Sequence, residues 1–440
     1  MTTPVPGPVR PPATVRPDDA RRALVAGSVG NFIEWYEFGI YGYFATVIAA
    51  QFFTPEGGSE VEGLVKAYAS FALAFFFRPV GAAVFGRFGD RVGRRPALVV
   101  VVCLMTGATA MIGLLPTYAS IGAAAPWLLT LLRILQGLSA GGEFGGAVSV
   151  MTECAPPGRR GRYGAWQSFT VALGLLAGAA VAVVLACVLS ASQLHGWGWR
   201  VPFLLTLPLG LVALRLRLRL PPDAPPARAE GGAGPEDGPR PRPGETARAV
   251  VLGIGRMMGW SAAGYTFLVV MPSYLQSTLG TTFQQALLGT VLANLGFAAS
   301  ILPAGGLSDR IGRRTVMVAG ALLVAVLALP LLHLVQDPGA PGYAKGAALF
   351  AAGAGVGLMA GPGPAMLAEM FPARVRCTGL GLAYALSNAV FSGCAGLVIT
   401  EVVARTGNVD VPGYYAAATS AVSVAALLTL RGDDHDRALR

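Results

Sequence analysis

Glu34 and Glu37 stand in the run Asn31-Phe32-Ile33-Glu34-Trp35-Tyr36-Glu37-Phe38-Gly39-Ile40-Tyr41, which is otherwise mostly apolar and aromatic. Helical spacing puts Asn31, Glu34, Phe38 and Tyr41 on one face, with Glu37 at its border. Carboxyl groups held in hydrocarbon are costly, so these two are expected to line a wet cavity or meet a cation. A cation is available in Arg133-Ile134-Leu135-Gln136-Gly137-Leu138-Ser139-Ala140-Gly141-Gly142-Glu143. At 1.5 Å per residue, Glu37 lies about 20 Å from the start of its apolar segment, and Arg133 about 9 Å from the outer end of its own. The depths are compatible. Desolvation favours a neutral acid and a neighbouring guanidinium favours the carboxylate, a balance suited to reversible proton binding. Glu34, Glu37 and Glu143 are therefore candidate proton sites, against the alternative that each is a structural hydrogen-bond partner. Asn31, Tyr41, Arg133, Gln136 and Tyr265 are candidate contacts for a small solute.

Arg78 and Arg256 are further cations inside apolar segments, able to pair with a carboxylate. Trp35, Tyr36, Tyr41, Trp260 and Tyr265 could instead frame a quaternary ammonium through their ring faces. The charged inventory favours an organic acid or zwitterion.

The elements that position these groups follow from composition. Apolar residues make up 54% of the 440 and charged residues 13%, with apolar runs along the whole length, a pattern of multi-pass membrane proteins. Twelve spans of about 20 residues are expected, near 24–50, 63–85, 97–115, 127–152, 163–189, 200–219, 248–276, 284–304, 315–335, 344–367, 378–402 and 412–430. This predicts an all-α fold of two six-helix bundles, 24–219 and 248–430. Residues 1–23 read as a retained tail, 220–247 as a Pro- and Gly-rich linker, and 431–440 as a short second tail.

Basic residues set the expected orientation. With both termini in the cytoplasm, 26 of the 33 Lys and Arg residues fall on the cytoplasmic side, four outside and three within spans. The net charge of +10 is then a topology signal and not a nucleic-acid footprint. The partners expected are a small solute and the lipid bilayer, with the monomer as the working unit.

One loop occurs twice. Gly86-Arg87-Phe88-Gly89-Asp90-Arg91-Val92-Gly93-Arg94-Arg95 is matched by Gly305-Gly306-Leu307-Ser308-Asp309-Arg310-Ile311-Gly312-Arg313-Arg314, 219 positions later (305 minus 86). A Glu and a Pro repeat with an offset of 216, at Glu153 and Pro156 and at Glu369 and Pro372. The halves are a duplication. Gly86 and Gly89 are expected to let backbones approach, Asp90 and Asp309 to sit against the positive start of a neighbouring helix, and Arg91, Arg94, Arg95, Arg310, Arg313 and Arg314 to anchor at headgroups. Together these residues would gate the side on which they lie, unless the arginines serve topology alone.

Other chemistries lack their residues. Cys103, Cys154, Cys187, Cys377 and Cys394 show no paired spacing and read as small buried fillers. His195, His333 and His435 are far apart. There is no phosphate-binding Gly-rich loop with Lys, no metal-ligand spacing and no nucleophile elbow, so neither an enzyme nor ATP drive is expected. No cofactor is expected beyond the proton as coupling ion.

These features carry a family resemblance. The stretch Gly30 to Gly42, Arg78-Pro79-Val80-Gly81, the loop Gly86 to Arg95, Gln136-Gly137 through Gly141-Gly142-Glu143, and Trp197-Gly198-Trp199-Arg200-Val201-Pro202-Phe203 together resemble the metabolite:proton symporter family of the major facilitator superfamily. Met271-Pro272-Ser273-Tyr274-Leu275, the loop Gly305 to Arg314 and Phe371-Pro372-Ala373-Arg374-Val375-Arg376 agree in the second half. Members import proline and betaine, 2-oxoglutarate, citrate, shikimate and similar solutes. The resemblance implies a midplane site between the bundles and alternating access by rocking. It further implies proton-coupled uptake, with Arg133 meeting the solute and the Glu34, Glu37 and Glu143 set taking the proton. The bacterial cytoplasmic membrane is the expected location.

Three departures bear on the solute and its direction. Glu37 stands where the family usually has Asp. The chain stops ten residues after its last span, without the coiled coil of the osmosensing member, so osmotic activation is not expected. Span five, with Gly174-Leu175-Leu176-Ala177-Gly178, lacks the Gly-Pro signature of proton antiporters. Uptake is thereby favoured over the alternative, a proton-coupled efflux antiporter for a drug or secondary metabolite.

Overall fold

A computed structural model of the chain describes residues 17–141, 144, 148, 151–152, 155–156, 158–219, 243–372 and 375–430, the side chains of 17–24, 89, 90, 94 and 243 excepted. The linker core 220–242, both tails beyond 17 and 430, and Glu143 lie outside the described residues. So do the side chains of Asp90 and Arg94.

Among the described residues, twelve principal helices follow one another. In chain order the principal helices are α1 (Pro17–Tyr43), α2 (Glu60–Val92), α3 (Arg94–Leu114), α4 (Ala124–Ala140), α5 (Arg160–Val188) and α6 (Thr206–Leu218). The second half repeats the pattern with α7 (Pro243–Tyr265), α8 (Phe283–Ile311), α9 (Arg313–Gln336), α10 (Gly342–Ala360), α11 (Arg376–Ser387) and α12 (Val411–Leu427). Among the described residues eight helical stretches are long and apolar enough to cross a membrane. The other four crossings are short or carry charge. α4 and α12 have 17 residues each, α1 holds Glu34 and Glu37, and α7 holds Arg248 and Arg256.

Helices are the only open-ended way to satisfy backbone groups in lipid, and residues apolar around the whole circumference suit a helix with lipid on one side and protein on the other. Small residues let these helices touch. A Cβ at Gly137 would lie 1.9 Å from the Ala74 carbonyl, and one at Gly353 would lie 1.9 Å from that of Ala293, so α2 meets α4, and α8 meets α10, at backbone distance.

The repeated motif is mostly helix. Gly86 to Val92 form the last turns of α2, and Gly305 to Ile311 those of α8. The turn is confined to Gly93 and Gly312, with φ of 107° and 90°, a region that favours glycine. The expected backbone approach is realised in one copy and not at Gly86. A Cβ at Gly305 would lie 2.4 Å from Ala165 Cβ, whereas one at Gly86 meets nothing among the described residues within 4 Å. The reason is which helices meet at that end. α8 runs beside α5 to its last turn, while this part of α2 is exposed.

Four cysteines also depart from expectation, and Cys154 lies outside the described residues. Cys103, Cys187 and Cys377 are exposed and Cys394 is half-buried. A small apolar thiol costs little facing lipid, so burial is not required of it.

Candidate transport site

The bundles meet along two seams, α5 with α8 and α2 with the α11 crossing. On the α5 seam, the Ser168 hydroxyl donates to the Ala360 carbonyl at 2.7 Å, and Gln284 Nε2 donates to Cys187 Sγ at 3.1 Å toward the face opposite the motif loops. On the α2 seam, Tyr68 and Ser273 hydroxyls are 2.5 Å apart. Phe75 and Tyr68 lie over Gly393 and Gly396 of the α11 crossing. A cleft between the bundles is lined by Asn31, Glu34, Trp35, Arg78, Phe144 and Tyr384, among others.

Glu34 and Arg78 form an ion pair across this cleft wall, with Nη2 and Oε1 3.3 Å apart. Arg78 is also held between ring faces, 4.3 Å from the centroids of both Phe38 and Phe75. Its surroundings come from both helices, with Glu34 and Phe38 from α1 and Phe75 from α2. The sequence singled out Arg78 as a possible cation but ranked Arg133 above it. The Arg-Pro at the middle of an apolar span was the available signal.

Arg133 is fully enclosed. Its guanidinium lies 4.1 Å from the Tyr41 ring centroid and 4.8 Å from that of Phe71. Its link to Glu37 runs through two intervening side chains. Arg133 Nη1 donates to Gln136 Oε1 at 2.7 Å, Gln136 Nε2 donates to Thr109 Oγ at 2.6 Å, and Thr109 Oγ donates to Glu37 Oε2 at 2.9 Å. A three-step chain thus links the cation of α4 to the acid of α1 through α3. Thr109 has no sequence signal, being one of two threonines in an apolar helix. Arg133 Nε and Nη2 and the Tyr265 hydroxyl are buried without hydrogen-bond partners among the described residues. Both side chains stand against the Phe71 ring.

The remaining candidates fall in three groups. Asn31 donates to the Gln167 carbonyl at 3.1 Å and to Thr170 Oγ at 2.6 Å, tying α1 to α5 beside the cleft. Tyr41 donates to the Ala67 carbonyl. Among the aromatics, Trp35 lies 5.6 Å from Arg78, Trp260 packs on Tyr384, and Tyr36 turns away to the Pro202 carbonyl. The ring faces of Tyr41 and Trp35 thus lie beside the protein's own guanidinium groups.

At the motif end, Asp309 accepts from the backbone N–H groups of Gly161 and Arg162, the first turn of α5, at 2.7 and 2.9 Å. Arg313 joins Asp309 at 2.7 Å and Glu369 at 3.2 Å. Arg91 and Arg310 are exposed, Arg95 donates to the Leu218 carbonyl, and Arg314 to that of Leu430. No group of three or more His, Cys, Asp or Glu residues among those described could hold a metal ion.

Two helical bundles, with a buried acid and arginine of the first, Glu34 and Arg78, facing the cleft between them, define a secondary transporter of the major facilitator fold. Residues 23–224 match the Sugar (and other) transporter family, and 249–439 match the Major Facilitator Superfamily. The chain is 36% identical to the ectoine/proline transporter ProP of Corynebacterium glutamicum, over 96% of this chain and 84% of the relative. It is 38% identical to the alpha-ketoglutarate permease of Escherichia coli strain K12, over 86% and 87%. Against the citrate-proton symporter of Klebsiella pneumoniae identity is 33%, over 89% and 88%. The chain belongs to the metabolite:proton symporter family of the major facilitator superfamily. The proton:xylose symporter XylE shares the fold, with a TM-score of 0.75 at 19% identity over 94% of this chain and 95% of that one. The protein is a multi-pass membrane transporter and not an enzyme.

Proposed function

We propose that this protein carries a small organic acid or zwitterion into a bacterial cell together with a proton. It acts as a monomer with both termini and the motif loops in the cytoplasm. The observation that carries this reading is the set of buried donors on Arg133 and Tyr265 that find no acceptor among the described residues. A buried donor left unpaired costs about 1–3 kcal/mol, and a solute carboxylate supplies acceptors in the geometry a guanidinium favours. Relatives named for proline, alpha-ketoglutarate and citrate all carry at least one carboxylate.

Arg78 supplies the coupling. A solute carboxylate entering the cleft competes with Glu34 for its guanidinium. Glu34, once deprived of its cation in a site of low dielectric, is stabilised by taking a proton. Loaded with both, the bundles close on one side and open on the other, because only the neutralised site tolerates occlusion. Release of the solute returns Arg78 to Glu34 and expels the proton.

The test is uptake of labelled 2-oxoglutarate, citrate, shikimate, proline and betaine into proteoliposomes, with and without an inward proton gradient. Gradient-driven accumulation of one of them, lost in Arg133→Ala, supports the reading. Equal uptake with and without the gradient under voltage clamp removes proton coupling. Silence across the panel with drug-stimulated proton release would make the protein an efflux antiporter.

A further inference from the structure

Glu37 has no exposed surface, yet a proton site must be satisfied in both its charged and neutral forms. The hydroxyl of Thr109 meets this requirement. It lies 2.9 Å from Glu37 Oε2 and also 2.9 Å from the Met105 carbonyl one turn back on α3. Its oxygen already accepts from Gln136 Nε2 at 2.6 Å. The orientation of Gln136 is dictated by Arg133, which has no acceptor atom to offer and so claims the Gln136 carbonyl at 2.7 Å.

A threonine hydroxyl has one hydrogen to donate and two lone pairs to accept with. With Glu37 ionised, that hydrogen points at Oε2. When a proton adds to Oε2, the new carboxylic O–H donates into the second lone pair of Thr109, and the Thr109 hydrogen swings to the Met105 carbonyl. Gln136 keeps its bond in both states. No heavy atom has to move, and every group on Thr109 remains paired.

We infer that Thr109 is a rotating hydroxyl switch that lets Glu37 gain and lose a proton at a position with no exposed surface. It is a positioning residue: it acts on the proton site and touches no solute. Among the described residues, charged or titratable groups near Glu37 include Glu34 and Tyr36 on its own helix and Arg133 on α4, reached through Gln136 and Thr109. Glu37 therefore serves as a second proton site beside Glu34, screened from the cleft. The inference rests on the proton-coupled reading above.

Purified full-length protein in lipid nanodiscs, probed by infrared difference spectroscopy across a pH series, tests this without knowledge of the solute. The Glu37 carboxyl band is identified by its disappearance in Glu37→Gln. Thr109→Val preserves shape and removes the hydroxyl, so the midpoint of that band is expected to move to higher pH by about one unit or more. Thr109→Ser is expected to restore it. Thr109→Ala serves if the valine variant does not fold, with the same expected displacement. A wild-type midpoint in Thr109→Val or Thr109→Ala, or a serine variant displaced as far as valine, overturns the switch. A wild-type protein with no titrating band that depends on Glu37 overturns both the switch and the role of Glu37, whereas gradient-driven uptake tests proton coupling separately.

Discussion

Asp309, near the end of α8 in the second bundle, accepts the backbone N–H of Gly161 in the first turn of α5 in the first bundle, at 2.7 Å. One carboxylate thereby caps a helix of the opposite half. It is held in place by Arg313, buried and shared with Glu369. The contact combines a charge-assisted hydrogen bond with the favourable end of a helix dipole, and it must break whenever the bundles part at this end.

Asp309→Asn keeps the shape of the cap and removes its charge. The closed arrangement of α5 on α8 is expected to lose about 1–2 kcal/mol, or roughly 5–30-fold in population. Spin labels at exposed Tyr163 and Leu307, one on each helix, report the separation. An unchanged distance distribution would refute the latch.

Arg78→Lys retains the charge and is nonetheless expected to reduce transport about tenfold or more. An ammonium cannot lie flat between Phe38 and Phe75 while reaching Glu34. Initial uptake rates in proteoliposomes decide this, and a lysine variant as active as the wild type would show that only the charge matters.

Gly137→Ala and Gly353→Ala should each destabilise the protein by about 1–3 kcal/mol, because a methyl group at either position meets a carbonyl of the neighbouring helix at 1.9 Å. The positions are 216 apart (353 minus 137), the offset of the duplication. Thermal unfolding in detergent measures both. A neutral substitution at either would mean that its seam, α2 on α4 or α8 on α10, is looser than described.

Gly396→Val is expected to hold the α2 seam open on the face opposite the motif loops, since a Cβ there would fall 2.2 Å from the Tyr68 ring. Tyr68→Ala in the same chain should relieve the block. Labelling of a cysteine placed at Ser273 by a water-soluble thiol reagent reads out the opening. Wild-type labelling in Gly396→Val would contradict it.

What was legible in the sequence was local. Twelve apolar runs, the basic residues beside them, and the Gly-Arg-Arg motif repeated at an interval of 219 depend on composition and spacing within single segments. Glu34, Glu37 and Arg133 stood out because a charge in an apolar run is costly wherever the run is placed. The likeness between the halves, however, suggested a symmetry the molecule does not keep. Gly86 and Gly305 read alike, yet among the described residues only Gly305 lies against another helix.

Which acid meets which cation was decided by tertiary structure alone. Arg78 takes Glu34, and Arg133 reaches Glu37 through Gln136 and Thr109. Spacing along one helix determines which residues share a face and how deep they lie. It cannot determine how far each helix is turned about its axis against three neighbours, and a turn of one residue, about 100°, exchanges one partner for another. Packing of α1 to α4 sets that rotation, and with it a plain threonine becomes the link between a buried acid and a buried base.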